Sequence, residues 1–279
     1  MLWDVLQTAA SIAMPVFVLS SMLAMGFGLT LNEIITPLRN PRLVLQSLVA
    51  NFVVMPLIAL CLSKFLQLDE PLGMGLIILG AAAGAPFLPI LVRLARGNLA
   101  FAVGLMVLLM VITVGYMPIV LPLMVPGVSV NPLEIARSLF LLMLVPLAIA
   151  LVLRARAPNF AGRAKPYLDR ISSVSLIAVV VLLIVVNGTN VLGVIGTGGI
   201  LATLLFVVLG FAAGWLLGGP GKENRRVLAL GTVQRNIAAG LVVGSQSFTD
   251  PRVVVMVVVV AIIGLVTLMP LSRALAGRP

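Results

Sequence analysis

Nine apolar stretches, each long enough to cross the core of a bilayer, follow one another along the 279 residues with only short polar connections between them. Bounded by charge, proline and glycine, they run from Leu6 to Leu31, Leu43 to Phe65, Leu72 to Leu94, Leu99 to Val125, Leu133 to Leu153, Ile171 to Val191, Gly199 to Leu217, Val227 to Phe248 and Val253 to Leu275. With 61% hydrophobic and 9% charged residues, a soluble fold is excluded and an all-α integral membrane protein of about nine transmembrane helices is expected. The first stretch is too long, and lacks the basic flank, to read as a cleaved signal peptide, so it counts as the first span.

A net charge of +10 would suit nucleic acid, but the basic residues sit in short loops between spans and not in one patch, so no nucleic-acid partner is expected. They report topology instead. With the N-terminus outside, the cytoplasmic loops hold Arg39, Arg42, Arg93, Arg96, Arg154, Arg156, Arg163, Lys165, Arg170, Lys222, Arg225, Arg226, Arg273 and Arg278, while the outer side keeps Lys64, Arg137 and Arg252. Fourteen against three supports an odd number of spans and a cytoplasmic C-terminus. A bacterial inner membrane is the expected location. Cys61 has no partner for a disulfide or a metal cluster, and no cofactor is implied.

Two spans carry helix-breaking runs, Gly80 to Pro89 in the third and Gly231 to Gly240 in the eighth. Paired interruptions at corresponding places point to a transporter built from inverted repeats. The expected division is residues 1–125 (four spans, broken near 80–89) and residues 126–279 (five spans, broken near 231–240), with spans one to four matching six to nine. Core-domain spans are then 2–4 and 7–9, and panel-domain spans 1, 5 and 6.

Arg235 is the single charged side chain well inside an apolar segment. It stands nine residues beyond Arg226, roughly 13 Å of helix at about 1.5 Å per residue, further than a side chain comfortably snorkels. An arginine at bilayer depth costs about 2.5 to 3.5 kcal/mol on insertion scales, so it faces a cavity or a partner and marks a functional pathway; the competing reading is a kink that lets it reach the headgroups. All eight carboxylates, Asp4, Glu33, Asp69, Glu70, Glu134, Asp169, Glu223 and Asp250, fall in loops or at span ends, and the chain has no histidine. A side-chain proton relay at depth is therefore missing. An enzyme is excluded on the same grounds, there being no carboxylate pair at depth and no nucleophile beside a base.

Several passages resemble the bile acid:sodium symporter family: Gly26-Phe27-Gly28-Leu29-Thr30-Leu31, Asn40-Pro41-Arg42, Asn51-Phe52 with Met55-Pro56, Cys61-Leu62-Ser63-Lys64, Leu94-Ala95-Arg96-Gly97-Asn98 and Arg235-Asn236. Their order and spacing run across most of the chain. The resemblance implies inverted repeats, two discontinuous crossing helices in a core domain, a smaller panel domain, and sodium-coupled uptake of organic anions bound between the two. It also implies a nine-span form lacking one helix of the usual ten. Against that pattern the chain departs at the ion sites. The family's Pro-Gly-Gly-Thr-Ala-Ser-Asn run reads Ala83 to Pro89 here, so two sodium-ligating polar positions become Leu88 and Pro89. The hydroxyls of the following span fall at Ala102 and Met106, the glutamate of the second break at Gly231, and its glutamine ligand at Arg235. Asn51, where glutamine is usual, and Asn236 keep polar character.

Hard cations need several oxygen ligands, and most of these are gone, so sodium is a doubtful partner. The expected mechanism has the Arg235 guanidinium replacing the coupling cation and gripping a small organic anion. Asn236, Gln234, Thr232 and Asn51 orient that substrate, and Pro86, Phe87 and Leu88 provide an apolar lining. Gln46, Ser47, Thr113 and Asn187 are expected to serve packing. Without a coupling ion, the protein is expected to act as a facilitator or exchanger, possible in export. The alternatives are sodium or proton symport through backbone carbonyls with Asn51 and Gln234, and a non-transporting receptor or scaffold. Nothing in the residues selects an oligomeric state.

Overall fold

The computed structural model describes residues 2–124, 131–186 and 193–276, and all regular structure among them is helical. Asn187 and Arg278 lie outside the described residues. Seven helical runs are long and apolar enough to cross a membrane: Ser11–Gly28, Pro41–Phe65, Leu99–Met124, Pro132–Arg156, Gly199–Leu217, Lys222–Ser247 and Pro251–Leu275.

In chain order, α1 (Leu2–Gly28) is followed by a short α2 (Leu31–Ile35), and then by α3 (Pro41–Val49) and α4 (Met55–Phe65), which a π-helical turn at Ala50–Val54 joins into one rod. A second rod has the same construction, with α8 (Pro132–Leu139) and α9 (Val145–Arg156) joined by a π turn at Phe140–Leu144. Each wide turn runs into a proline, Pro56 or Pro146. A proline lacks the N–H that would bond the preceding turn and its ring crowds the carbonyl there, and a π turn relieves both. Each rod also begins at an Asn-Pro step, where the Asn40 or Asn131 side chain accepts a backbone N–H of the first turn.

The third expected span is two helices, α5 (Glu70–Ala81) and α6 (Leu88–Leu94), separated by residues 82–87; α7 (Leu99–Met124) follows. The sixth departs from its expected start at Ile171, because α10 runs from Pro158 to Val186 and takes in the basic stretch assigned to a loop. Pro158 opens the helix, and the Lys165–Asp169 pair sits at helical spacing on the added turns. After α11 (Gly199–Leu217), the eighth span divides into α12 (Lys222–Val233) and α13 (Ile237–Ser247), and α14 (Pro251–Leu275) closes the described chain. The second interruption is only Gln234-Arg235-Asn236, narrower than the expected 231–240.

Burial separates the interrupted helices from the rest. The run containing α12 and α13 is 94% buried along its most apolar window, whereas the other six spanning runs lie between 33% and 56%. In α5 every residue from Leu72 to Ala81 is buried. A helix that is apolar on all sides and covered on all sides sits inside a bundle. The cover comes from α4, α7, α11 and α14, while α1 lies along α9 and α10 in a separate layer. Glycine permits a close approach between α11 and α12: a Cβ at Gly214 would stand 2.5 Å from the Leu228 carbonyl oxygen and 2.6 Å from the Ala229 Cα. Small residues bring helix backbones together in this way.

Candidate site at the crossing of two broken helices

The two interruptions meet. The backbone N–H of Asn236 donates to the Ala82 carbonyl at 2.9 Å, and the Asn236 Nδ2 donates to the Gly84 carbonyl at 3.1 Å. The Asn236 Oδ1 accepts from the Ala239 N–H at 3.1 Å, so the residue caps α13 while it ties down the other break. From α7, the Thr113 hydroxyl lies 3.1 Å from both the N–H and the carbonyl of Ala83, accepting from one and able to donate to the other. Gly84 takes a left-handed φ of +81°, and a Cβ there would collide with the backbone of Met110, so glycine meets both requirements at this position.

Arg235 is 3% exposed and points into the protein. Its Nε donates to the Leu79 carbonyl at 2.7 Å, Nη1 to the Asn51 Oδ1 at 2.8 Å and to the Thr232 carbonyl at 3.1 Å, and Nη2 to the Gly80 carbonyl at 2.6 Å. Leu79 and Gly80 belong to the last turn of α5, and Thr232 to the last turn of α12. Terminal carbonyls lose their intrahelical donors where a helix stops, and the two C-terminal ends concentrate negative potential on the same point. Asn51 sits in the π turn between α3 and α4, where its Nδ2 donates to the Ser47 carbonyl at 3.0 Å and its oxygen is left to face the guanidinium. Four neutral oxygens thus surround one cation, and among the described residues no carboxylate pairs with it. A guanidinium has five N–H groups. One on Nη2 has no acceptor among the described residues.

The remaining predicted residues fall around this centre. Thr232 is fully buried, and its Oγ1, without a partner, lies 2.8 Å from the Cβ position of Gly214. Gln234 is 7% exposed. Pro86 and Phe87 are half-buried in the first break. Leu88, expected on an apolar lining, is instead 1% exposed and turned into the crossing, with a methyl carbon 3.1 Å from the Cβ position of Gly231. Ala102 and Met106 of α7 are buried as well. The structure adds two residues to the predicted set. Thr113 was expected only to pack, and Tyr116 carries no signal in the sequence beyond being a tyrosine in an apolar span. The Tyr116 hydroxyl donates to the Phe52 carbonyl at 2.5 Å and its ring stacks obliquely on Phe52, which holds the π turn that presents Asn51.

A helical membrane protein whose two interrupted helices meet around a buried cation has the arrangement of a secondary transporter with unwound helices at its centre. The comparisons with known proteins agree. The model of the Sodium Bile acid symporter family matches residues 15–194, well over half of the chain, and the chain belongs to that family, which is one of transporters and not of enzymes. Similar proteins include the probable sodium/metabolite cotransporter BASS1, chloroplastic, of Arabidopsis thaliana, 25% identical over 83% of this chain and 58% of that one. The hepatic sodium/bile acid cotransporter of Rattus norvegicus is 27% identical over 82% of this chain and 66% of its own length. An uncharacterized sodium-dependent transporter of Bacillus subtilis is 25% identical over 71% and 60%. The chain spans less than two-thirds of the length of these relatives. Residues 234–236 lie beyond the matched family segment.

Proposed function

We propose that this chain is a secondary transporter of small organic anions in which the Arg235 guanidinium occupies the position of a coupling cation, so that transport proceeds without sodium. The observation carrying this reading is the ring of Leu79, Gly80 and Thr232 carbonyls and the Asn51 carboxamide oxygen at 2.6 to 3.1 Å around one guanidinium. Such an oxygen set is what a hard cation requires. Here a covalently tethered cation fills it. At the other positions where the family resemblance implies polar ligands, the crossing is packed with hydrocarbon from Leu88, Ala102 and Met106.

The tethered charge serves the substrate mainly through its field. Four of its donors are held by the protein, and a positive potential at the crossing attracts an anion to the neighbouring surface. Asn236, Thr232 and Asn51 are buried beneath that surface and shape the field reaching it, and Pro86 and Phe87 are its half-buried apolar part. The packing of α1 mainly on α9 and α10, with α8 and the edge of α1 meeting α7 and α13, supports a division into panel and core with the substrate at their junction. Nine spans in two inverted repeats, an outward N-terminus and a bacterial inner membrane complete the proposal. Without a co-transported cation, a monovalent anion meets about 2.3 kcal/mol per 100 mV opposing entry into a negative interior, which favours exchange or export.

The relatives, named as sodium cotransporters and a sodium-dependent transporter, favour a second reading, sodium-coupled symport. Radiolabelled organic-acid flux in proteoliposomes separates the two. Equal flux with and without a sodium gradient is the expected result, and strict sodium dependence would establish the second reading instead.

A further inference from the structure

A partly enclosed notch of about 20 Å³ borders Arg235 between Phe206 and Val207 of α11, Val260 and Gly264 of α14, and the second break. That volume admits one water-sized species. Gln234 lines the same notch. It is 7% exposed, and its carboxamide has no hydrogen-bond partner among the described residues. The amide atoms are not sealed off, and an amide at such an opening without protein partners takes up a ligand or ordered solvent. The polar residues that line the notch are Gln234 and Arg235, the start of α13 at Ile237 borders it, and the rest is hydrocarbon. At a helix start the first N–H groups lack intrahelical acceptors, and here the Asn236 side chain satisfies that of Ala239. The uncompensated positive charge excludes a cation, and the volume excludes an organic acid.

We propose that the notch binds a small monovalent anion of halide size, held between the Gln234 amide and the guanidinium and neutralising the fixed charge of Arg235. The inference rests on reading Arg235 as a permanent cation. It assigns Gln234 to a small inorganic anion, separate from the organic substrate. Val260 offers a way to fill the site without touching its polar groups, because it is buried and lines the notch with hydrocarbon only.

Thermal unfolding of the purified full chain, at constant sodium with chloride, bromide or gluconate as the anion, tests the proposal. The expected result is a saturable rise in Tm with chloride and bromide over gluconate, with the midpoint concentration raised tenfold or more, or the rise abolished, in both Gln234→Leu and Val260→Phe. No halide-specific rise in the unsubstituted protein would mean a notch that holds only water and would overturn the proposal. A rise that survives unchanged in either variant would place the halide elsewhere and overturn it equally. Sodium-driven flux in proteoliposomes would refute the coupling reading and leave this titration unaffected, so the two failures are distinguishable.

Discussion

The two interruptions look alike as sequence punctuation and differ in what they contribute. The first, residues 82–87, has no polar side chain; it offers only main-chain groups, and other parts of the fold satisfy them, namely Asn236, Thr113 and, one turn earlier, Arg235. The second is three residues long and every one is polar. One break is a set of acceptors and the other supplies the donors, including a full positive charge. Unwinding a buried helix frees carbonyls that must find partners, and here side chains from the opposite break supply them.

The largest expected effect comes from removing the charge. Arg235→Ala strands several buried acceptors at once, and a loss on the order of 3 to 5 kcal/mol is expected in a denaturant or thermal unfolding series. Arg235→Lys, which keeps the charge without the planar fork, is expected to recover part of that loss, and equal damage from both would show that charge is irrelevant at the crossing.

Next comes Asn236→Ala, which removes the bond to Gly84 and the cap of α13 together, roughly 2 to 3 kcal/mol. Thr113→Val keeps the volume but leaves both polar groups of Ala83 without their side-chain partner, at about 1 to 3 kcal/mol by the same unfolding measurement. If it proved neutral, the first break would not depend on its neighbours as described. Tyr116→Phe is the mildest, about 0.5 to 1.5 kcal/mol for one hydrogen bond, with the ring contact to Phe52 retained; an effect larger than that of Thr113→Val would shift the weight of the site towards the π turn.

Much of the layout was legible in the residues. Glycine and proline near 80–89 and the polar run around Arg235 located both breaks, and the distance of Arg235 from Arg226 made its burial foreseeable. The partners of that guanidinium were not legible, because three of its four acceptors are main-chain carbonyls, which every residue possesses. Thr113 and Tyr116 act across 30 and 64 residues of chain, and nothing local distinguishes them from packing residues. The extension of α10 back to Pro158 escaped for a different reason. Its basic residues read as a loop by the rule that charge ends a span, yet charged helices continue beyond the apolar region wherever proline and ion-pair spacing permit.

The central claim is that a guanidinium holds the place of a metal ion, and a sodium titration followed by thermal unfolding, with choline balancing ionic strength, tests it most directly. The account predicts no sodium-specific stabilisation of the unsubstituted protein and the appearance of one in Arg235→Ala, whose vacated carbonyl ring regains the ligands of a cation site. Saturable stabilisation of the unsubstituted protein by sodium but not choline would contradict it.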